Sequence, residues 1–366
     1  MINVQFFPSR RIALYMAKSF LVRSLAVLFM LVLVLQTLDL LGESGKILAQ
    51  PGNGDGELWR YVSLRLPQLV QRFLPFAVLL GTLITLATMN QNSEIVSMKA
   101  AGISAHQIIA PLIVASLAIA ALGFVFQERI VTRATAMLND WQAVDYGPLP
   151  PDSGLSHNVW VRDGDDLFLA KTVSGRGPAT RLTGVSIYER RGGTLATIIR
   201  ADSATPAAGG GWRLAPVDSF DVESGQRVRA PSAIVGSGIA PDRFTLATVK
   251  PDEQDFETLS RSLQDLRAAG RPTDTLETGL WHKLSAPLSA VLMPLLAAVA
   301  AFGLARSGQL FVRVVIGMAL GFAYFVADNA ALAMGNLGAY PPWLAAWSPF
   351  LLFLLIGETV LVRTEE

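Results

Sequence analysis

The sequence predicts an α-helical membrane protein with six transmembrane helices and an all-β, jelly-roll-like domain inserted between the third and fourth. Three observations predict it. Of 366 residues, 51% are hydrophobic and only 16% charged, against about 25% charged in an ordinary soluble domain; this excludes a typical soluble enzyme and a disordered tail. The apolar residues gather into six blocks, each near the roughly 20 residues that cross a hydrocarbon core of about 30 Å. Between the third and fourth blocks lies a long segment rich in Gly, Pro, Asp and Arg, in which apolar residues alternate. The 30 Lys and Arg against 29 Asp and Glu leave a net charge of +1, without the basic excess of a nucleic-acid binder. The lack of cysteine removes disulfides, thiolate metal sites, Fe–S clusters and a Cys nucleophile.

The N-terminal membrane half covers residues 1–126. Its first span, Ser19 to Leu41, is too long for a signal peptide's apolar region. Its apolar run leads into Asp39, Leu40 and Leu41 instead of a small-residue cleavage site, so it is read as a retained helix. The second span is Phe73 to Met89 and the third Ile108 to Phe126, with a short cytoplasmic segment at 91–104 between them. The C-terminal half, 281–366, holds Leu284 to Leu304, Val312 to Leu332 and Trp343 to Val362. Backbone groups in lipid must be satisfied within the segment, so all six read as helices. Pro75, Pro287 and Pro294 are expected to bend them. Arg10, Arg11, Lys18, Arg23, Lys99, Arg306, Arg313 and Arg363 fall on one side if the spans alternate, and Lys46, Arg60, Arg65 and Arg72 on the other. The larger group marks the cytoplasmic side, with both termini on it.

The segment 127–280 then faces outward. It is roughly 150 residues, the size of a whole domain. Asn158 to Arg162, Asp163-Gly164 and Asp165 to Lys171 read as a hairpin on a tight turn. Val185 to Arg190, Gly192-Gly193 and Thr194 to Ile199 give a second. Trp212 to Leu214, Ser219 to Val222 and Arg243 to Leu246 are further short strands. Many short strands with regular turns indicate a sandwich, jelly roll or open barrel. Thr258 to Gly270 reads as a helix leading back to the membrane.

Between the second and third spans runs Asn90-Gln-Asn-Ser-Glu-Ile-Val-Ser-Met-Lys-Ala-Ala-Gly-Ile-Ser104. Ser93 suits a helix N-cap and Glu94 the positive end of the helix dipole. Ile95, Met98 and Gly102 share one face, and Gly102 suits a helix stop. Such an amphipathic helix either lies in the headgroup region or docks into a partner's groove.

Ser93-Glu-Ile-Val-Ser-Met-Lys-Ala-Ala-Gly-Ile-Ser104 resembles the signature of the lipopolysaccharide export permeases, the LptF and LptG family. Trp281-His-Lys-Leu-Ser-Ala-Pro-Leu288 and Arg313-Val-Val-Ile-Gly-Met-Ala-Leu-Gly-Phe-Ala-Tyr-Phe325 support it and look more like LptG. The resemblance covers nearly the whole chain. It implies a permease subunit in the bacterial inner membrane, paired with an LptF-like permease around a cavity open to the periplasmic leaflet. It implies an LptB-like ATPase dimer below, an LptC-like single-helix protein beside, and an LptA-like bridge that receives lipopolysaccharide from periplasmic β domains. ATP and magnesium then belong to the ATPase, and this chain binds no cofactor of its own. Ser93, Glu94, Ile95, Met98 and Gly102 would form the ATPase-coupling helix, and the first and fifth helices would line the cavity and its lateral gates.

The chain itself is not read as the ATPase. Gly42-Glu-Ser-Gly-Lys46 lacks the spacing of a phosphate loop and has Ile47 where Ser or Thr would hold magnesium. For a phosphorylated glycolipid, Lys46, Arg129, Arg133 and Asp328 are the candidate contacts. Arg129 and Arg133 stand at i, i+4 on one helix face. The competing readings are interfacial snorkelling for the cations and simple solvation for Asp328. Gly42 and Glu43 stand where LptG members often carry lysines. His106, His157 and His282 form no metal-ligand spacing, and no nucleophile or catalytic carboxylate pair is visible. The alternative function is a membrane-anchored β-domain scaffold or receptor for envelope assembly, for which six helices are more than an anchor needs.

Overall fold

The computed structural model describes residues 8–148, 156–175, 179–191, 193–207, 210–236, 239, 241, 244, 250–268, 272–302 and 310–363. It divides into a helical unit, formed by Met1–Leu138 with Pro251–Glu366, and a β unit, Asn139–Lys250. Arg306 lies outside the described residues, as do Arg243, Thr245 and Leu246 of the expected last strand.

In the helical unit, α1 is Arg10–Ala49, α2 Asp55–Gln91, α3 Glu94–Ala100 and α4 Ala105–Phe126. A π-helical turn, Gln127–Val131, joins α4 to α5, Thr132–Ala143. After the sheet come α6, Phe256–Ala268, α7, Asp274–Phe302, α8, Leu310–Asn336, and α9, Pro342–Arg363. Among the described residues, five helical stretches are long and apolar enough to cross a membrane: Arg10–Ala49, Asp55–Gln91, Ala105–Ala143, Val314–Asn336 and Pro342–Arg363. The expected fourth span runs past residue 302, beyond which the chain is not described until 310. Its helix, α7, begins at Asp274 and buries the polar side chains Lys283, Ser285 and Ser289.

The helices overrun the apolar windows. Ser9 caps α1, its hydroxyl accepting from the Ile12 N–H at 3.3 Å, and α2 begins at Asp55 rather than near Phe73. The cations Lys46, Arg60, Arg65 and Arg72 therefore ride on helical extensions, not on a loop. The buried residues of α1 recur at every fourth position: Met16, Phe20, Ser24, Leu28, Val32 and Gln36. This narrow stripe packs on α2, while Val22, Leu25, Phe29, Met30 and Leu33 stay exposed, as a lipid-facing surface requires. Where the two helices come closest, a Cβ on Gly81 would lie 2.1 Å from Ser24 Oγ. Small residues let helix backbones approach in this way inside membranes. The main apolar core gathers Met16 and Phe20 of α1, Leu79 and Leu86 of α2, Ile108 and Leu112 of α4, Leu295 and Leu296 of α7, Tyr324 of α8 and Phe353 of α9. Trp59, Trp281 and Trp343 are exposed in the N-terminal parts of α2, α7 and α9, and Tyr340 just before α9, as residues of an interfacial aromatic belt are.

Among the described residues of the β unit, seven strands form one antiparallel sheet: β1 Ser156–Asp163, β2 Asp166–Ser174, β3 Arg181–Arg191, β4 Thr194–Pro206, β5 Trp212–Asp221, β6 Arg227–Ala230 and β7 Ala233–Val235. Both expected hairpins are present, the first turning at Gly164 with φ +60°. The two expected strands around 212–214 and 219–222 are a single strand, β5. Among the described residues every step is between sequence neighbours except β7, which pairs with β5 beyond β6; the crossing connections of a jelly roll do not occur there. The β6 and β7 pairings keep one register against β5, Val217 opposite Ala230 and Leu214 opposite Ala233. That register sets Pro216 against Pro231. Neither has an N–H to give, so the ladder breaks there.

Burial reveals a crease across the sheet. On one side of it buried residues alternate by two, as in Phe168 and Ala170, Val185 and Ile187, and Ile199 and Ala201. Across it they step by three: Ala170 to Val173, Leu182 to Val185, Ala201 to Ala204, and Leu214 to Val217. The register places Lys171, Gly184, Asp202 and Pro216 in that row. Gly184 holds φ +61°, and a Cβ there would lie 2.8 Å from Lys171 Cδ, so the crease needs glycine at this crossing. Trp212 and Phe244 meet edge to face at 5.0 Å in the core, and Trp212 Nε1–H donates to the Ile239 carbonyl at 3.1 Å. Outside it, Asp218 is held below the usual carboxylate range by its hydrogen bond from the Arg227 guanidinium.

Candidate functional site

The segment between α2 and α4 folds as a short clamped helix. Ile95 and Met98 are only 5% and 8% exposed and belong to the membrane core. The helix ends in a Schellman motif: Gly102 N–H donates to the Lys99 carbonyl at 3.0 Å, and Ile103 N–H to the Met98 carbonyl at 3.1 Å. Gly102 takes φ +81°, which makes it the expected stop. Ile103 packs on the same core. Ser104 and Gln107 then form a reciprocal capping box that starts α4, with bonds of 3.2 and 3.1 Å.

Two expectations change here. Ser93 does not cap α3 with its side chain. It stands at φ +60°, ψ +14°, whereas a side-chain cap needs an extended backbone that aims the hydroxyl at the following N–H groups. Its carbonyl instead accepts from the Ser97 N–H and Oγ at 3.0 and 2.9 Å. The apolar face of α3, formed by Ile95 and Met98, is spent inside the molecule. The solvent-exposed face carries Val96, Ser97 and Lys99, with Val96 60% exposed. Glu94 sits between the two faces. Its Oε1 accepts from the Tyr15 hydroxyl of α1 and from the Asn92 amide, both at 3.3 Å, which ties the start of α3 to the first helix.

The opposite end of the helices holds the charged groups. Lys46 is exposed and bonds to Glu43 one turn earlier, at 2.9 Å. Asp39 of α1 takes Arg65 of α2 through both oxygens, at 3.1 and 3.0 Å, and the Tyr61 hydroxyl at 2.5 Å. Arg129 and Arg133 are exposed and have no ion-pair or hydrogen-bond partner among the described residues. Arg129 lies in the π turn and Arg133 in α5. No hydrogen bond or ion pair joins Lys46, Arg129, Arg133 and Asp328 to one another among the described residues. Asp328 of α8 instead lies 3.3 Å from His282 Nε2 of α7.

Sequence reasoning missed the most buried charges. Lys283 Nζ lies 2.8 Å from Glu128 Oε1, with side chains only 6% and 11% exposed. Glu128 also accepts the backbone N–H of Phe256, the first residue of α6. One carboxylate in the π turn thus joins α4, α6 and α7. The signal available was a lone Glu just past one apolar window and a Lys just before another. Among the described residues no group of three or more His, Cys, Asp or Glu side chains could hold a metal ion.

The chain matches the family model described as lipopolysaccharide export system permease LptF/LptG over residues 14–363. It is 27% identical over 361 residues to the lipopolysaccharide export system permease protein LptG of Escherichia coli (strain K12), an alignment covering 95% of this chain and 97% of that protein. It is 25% identical over 329 residues to the protein of the same description from Haemophilus influenzae (strain ATCC 51907 / DSM 11121 / KW20 / Rd), covering 86% of this chain and 89% of that one.

Proposed function

The chain belongs to the lipopolysaccharide export system permease LptF/LptG family, and from that premise we propose that it is the LptG-type half of an ATP-driven exporter that lifts lipopolysaccharide from the outer leaflet of the inner membrane. The observation that carries the mechanism is the build of α3. Its inward face is fixed in the core by Ile95 and Met98, its end is closed by Gly102, and its start is tied to α1 through Glu94 and Tyr15. A push on the solvent-exposed face moves the helices with it, because packed interiors transmit displacement rather than absorb it. An LptB-like ATPase dimer, which binds and hydrolyses ATP with magnesium, supplies that push. An LptF-like second permease completes the cavity, an LptC-like single-helix protein binds at the side, and an LptA-like bridge receives the lipid from the sheet domains. The lipid's acyl chains suit the exposed apolar face of α1, and its phosphates suit the unpaired Arg129 and Arg133.

Copurification is the direct test. The full-length chain should bring down a soluble ATPase and a second helical permease. Glu94→Arg should weaken ATPase retention by about tenfold or more, through the lost Tyr15 contact and the reversed charge at the helix start. Normal copurification and normal export in that variant would remove α3 from the coupling role. Photocrosslinkers at positions 129 and 133 should capture lipopolysaccharide; labelling of the cavity walls with silence at these two positions would reassign the phosphate contacts. The scaffold alternative predicts no ATPase in the pull-down.

A further inference from the structure

An open cavity of about 350 Å³ lies beside the second to fourth turns of α1, lined by Tyr15, Lys18, Ser19, Val22 and Arg23. Its lining joins two cations, two hydroxyls and one apolar side chain. No ion pair or hydrogen bond engages Lys18 or Arg23 among the described residues. Arg23 Nη1 is shielded from solvent and has no acceptor. A buried guanidinium N–H without an acceptor is costly, and such an orphan calls for an absent partner. The partner must be an anion with several acceptor oxygens, since Lys18 and Arg23 together offer many donors and no acceptor. Val22, 58% exposed, continues the lining toward the apolar stretch of α1, so the ligand has an apolar part on that side. The acidic side chain bonded to the lining is Glu94, and Tyr15 and Asn92 occupy its Oε1.

We propose that this cavity binds the phosphate headgroup of an anionic phospholipid in the leaflet around the N-terminal end of α1. The exported glycolipid enters from the opposite leaflet, so this is a separate lipid site. Clusters of Lys and Arg at the cytoplasmic end of a transmembrane helix attract anionic headgroups at about 1 kcal/mol per cation, or about fivefold in affinity each. Through Tyr15 the headgroup sits against the start of α3, so its occupancy bears on the coupling segment. The inference takes from the proposed function only the leaflet in which the N-terminal end of α1 lies.

The test uses the purified full-length chain with whatever subunits accompany it, reconstituted in nanodiscs of equal parts phosphatidylglycerol and phosphatidylcholine, then analysed by native mass spectrometry. Phosphatidylglycerol should be retained selectively, with Lys18→Ala and Arg23→Gln each lowering retention about fivefold. The Lys18→Arg/Arg23→Lys pair should keep it, which separates lost charge from lost folding. Equal retention of both lipids, or unchanged retention in the two charge-removing variants, overturns the proposal. So does binding of inorganic phosphate alone with no retained lipid, which would assign the cavity to a free anion. Retention on the isolated protein does not depend on the ATPase. A failed pull-down would sink the exporter reading and leave this result standing, and the reverse holds equally.

Discussion

Among the described residues of the helical unit, a few ion pairs are partly or wholly shielded from solvent. Lys283 and Glu128 are the most buried such pair, 2.8 Å apart. Removing one partner leaves the other charge buried and alone, a loss of about 3–5 kcal/mol. Lys283→Ala should therefore lower the thermal unfolding temperature of the detergent-solubilised protein sharply. The double variant Lys283→Met/Glu128→Gln should lose far less than the two single changes added together, because the two residues share one interaction. Additive losses would show that the pair does not couple. Because Glu128 also takes the Phe256 N–H, its removal should loosen the start of α6 as well, read as faster hydrogen exchange over Phe256 to Leu259. At the same helix start, Asp255 accepts the Thr258 N–H at 2.8 Å, and its hydrogen bonds from Thr258 keep its carboxyl below the usual range.

At the scale of elements, close approach governs the helices and a crease governs the sheet. Gly81 is the tightest crossing of α1 on α2. A Cβ there meets not only Ser24 Oγ at 2.1 Å but also Ser24 Cα and N at 2.6 and 2.7 Å. Gly81→Ala should thus destabilise the hairpin of α1 and α2 by about 1–3 kcal/mol, the usual cost of overpacking. Adding Ser24→Gly should recover little, since the backbone atoms remain. Full recovery in the thermal melt would mean the hydroxyl alone set the spacing. Gly335 repeats the device on α8, where a Cβ would lie 2.5 Å from Ala345 Cβ of α9. In the sheet, the row through Lys171, Gly184, Asp202 and Pro216 changes which face of each strand is covered. A period of two is the signature by which a half-buried strand is read from sequence. Strands that shift phase midway look like two short strands, which is why β5 reads as two around Pro216.

For the whole molecule, the order of helices, inserted sheet and helices is legible because hydropathy segregates along the chain, and the Ser93 to Ser104 motif carries the family. Gly102 as a helix stop, Gly164 as a turn and the alternation in β1 to β4 are local features, so local pattern exposes them. The contacts that position the charged groups are not local. Glu128 and Lys283 are separated by 155 positions, and neither side chain announces its partner. Asp328 looks like a ligand contact from sequence because nothing nearby in the chain hints at His282. Orientation rests on charge bias alone, and it is open to a clean measurement because the chain has no cysteine. A single cysteine at Val96 should be protected from an impermeant maleimide added outside intact inner-membrane vesicles of native orientation, and one at Asp165 should react. The opposite pattern would invert the protein in its membrane and with it the direction of lipid movement.

The facing prolines of the outer strands have a consequence for growth of the sheet. A newcomer lying along the β6–β7 margin finds its backbone donors split into two runs, four residues and three residues long, too short to hold an extended segment firmly. The β1 margin offers eight uninterrupted residues, Ser156–Asp163. Any elongation of the sheet by an added chain is thereby biased to one flank, giving this domain a polarity fixed by two imino acids rather than by the surface around them.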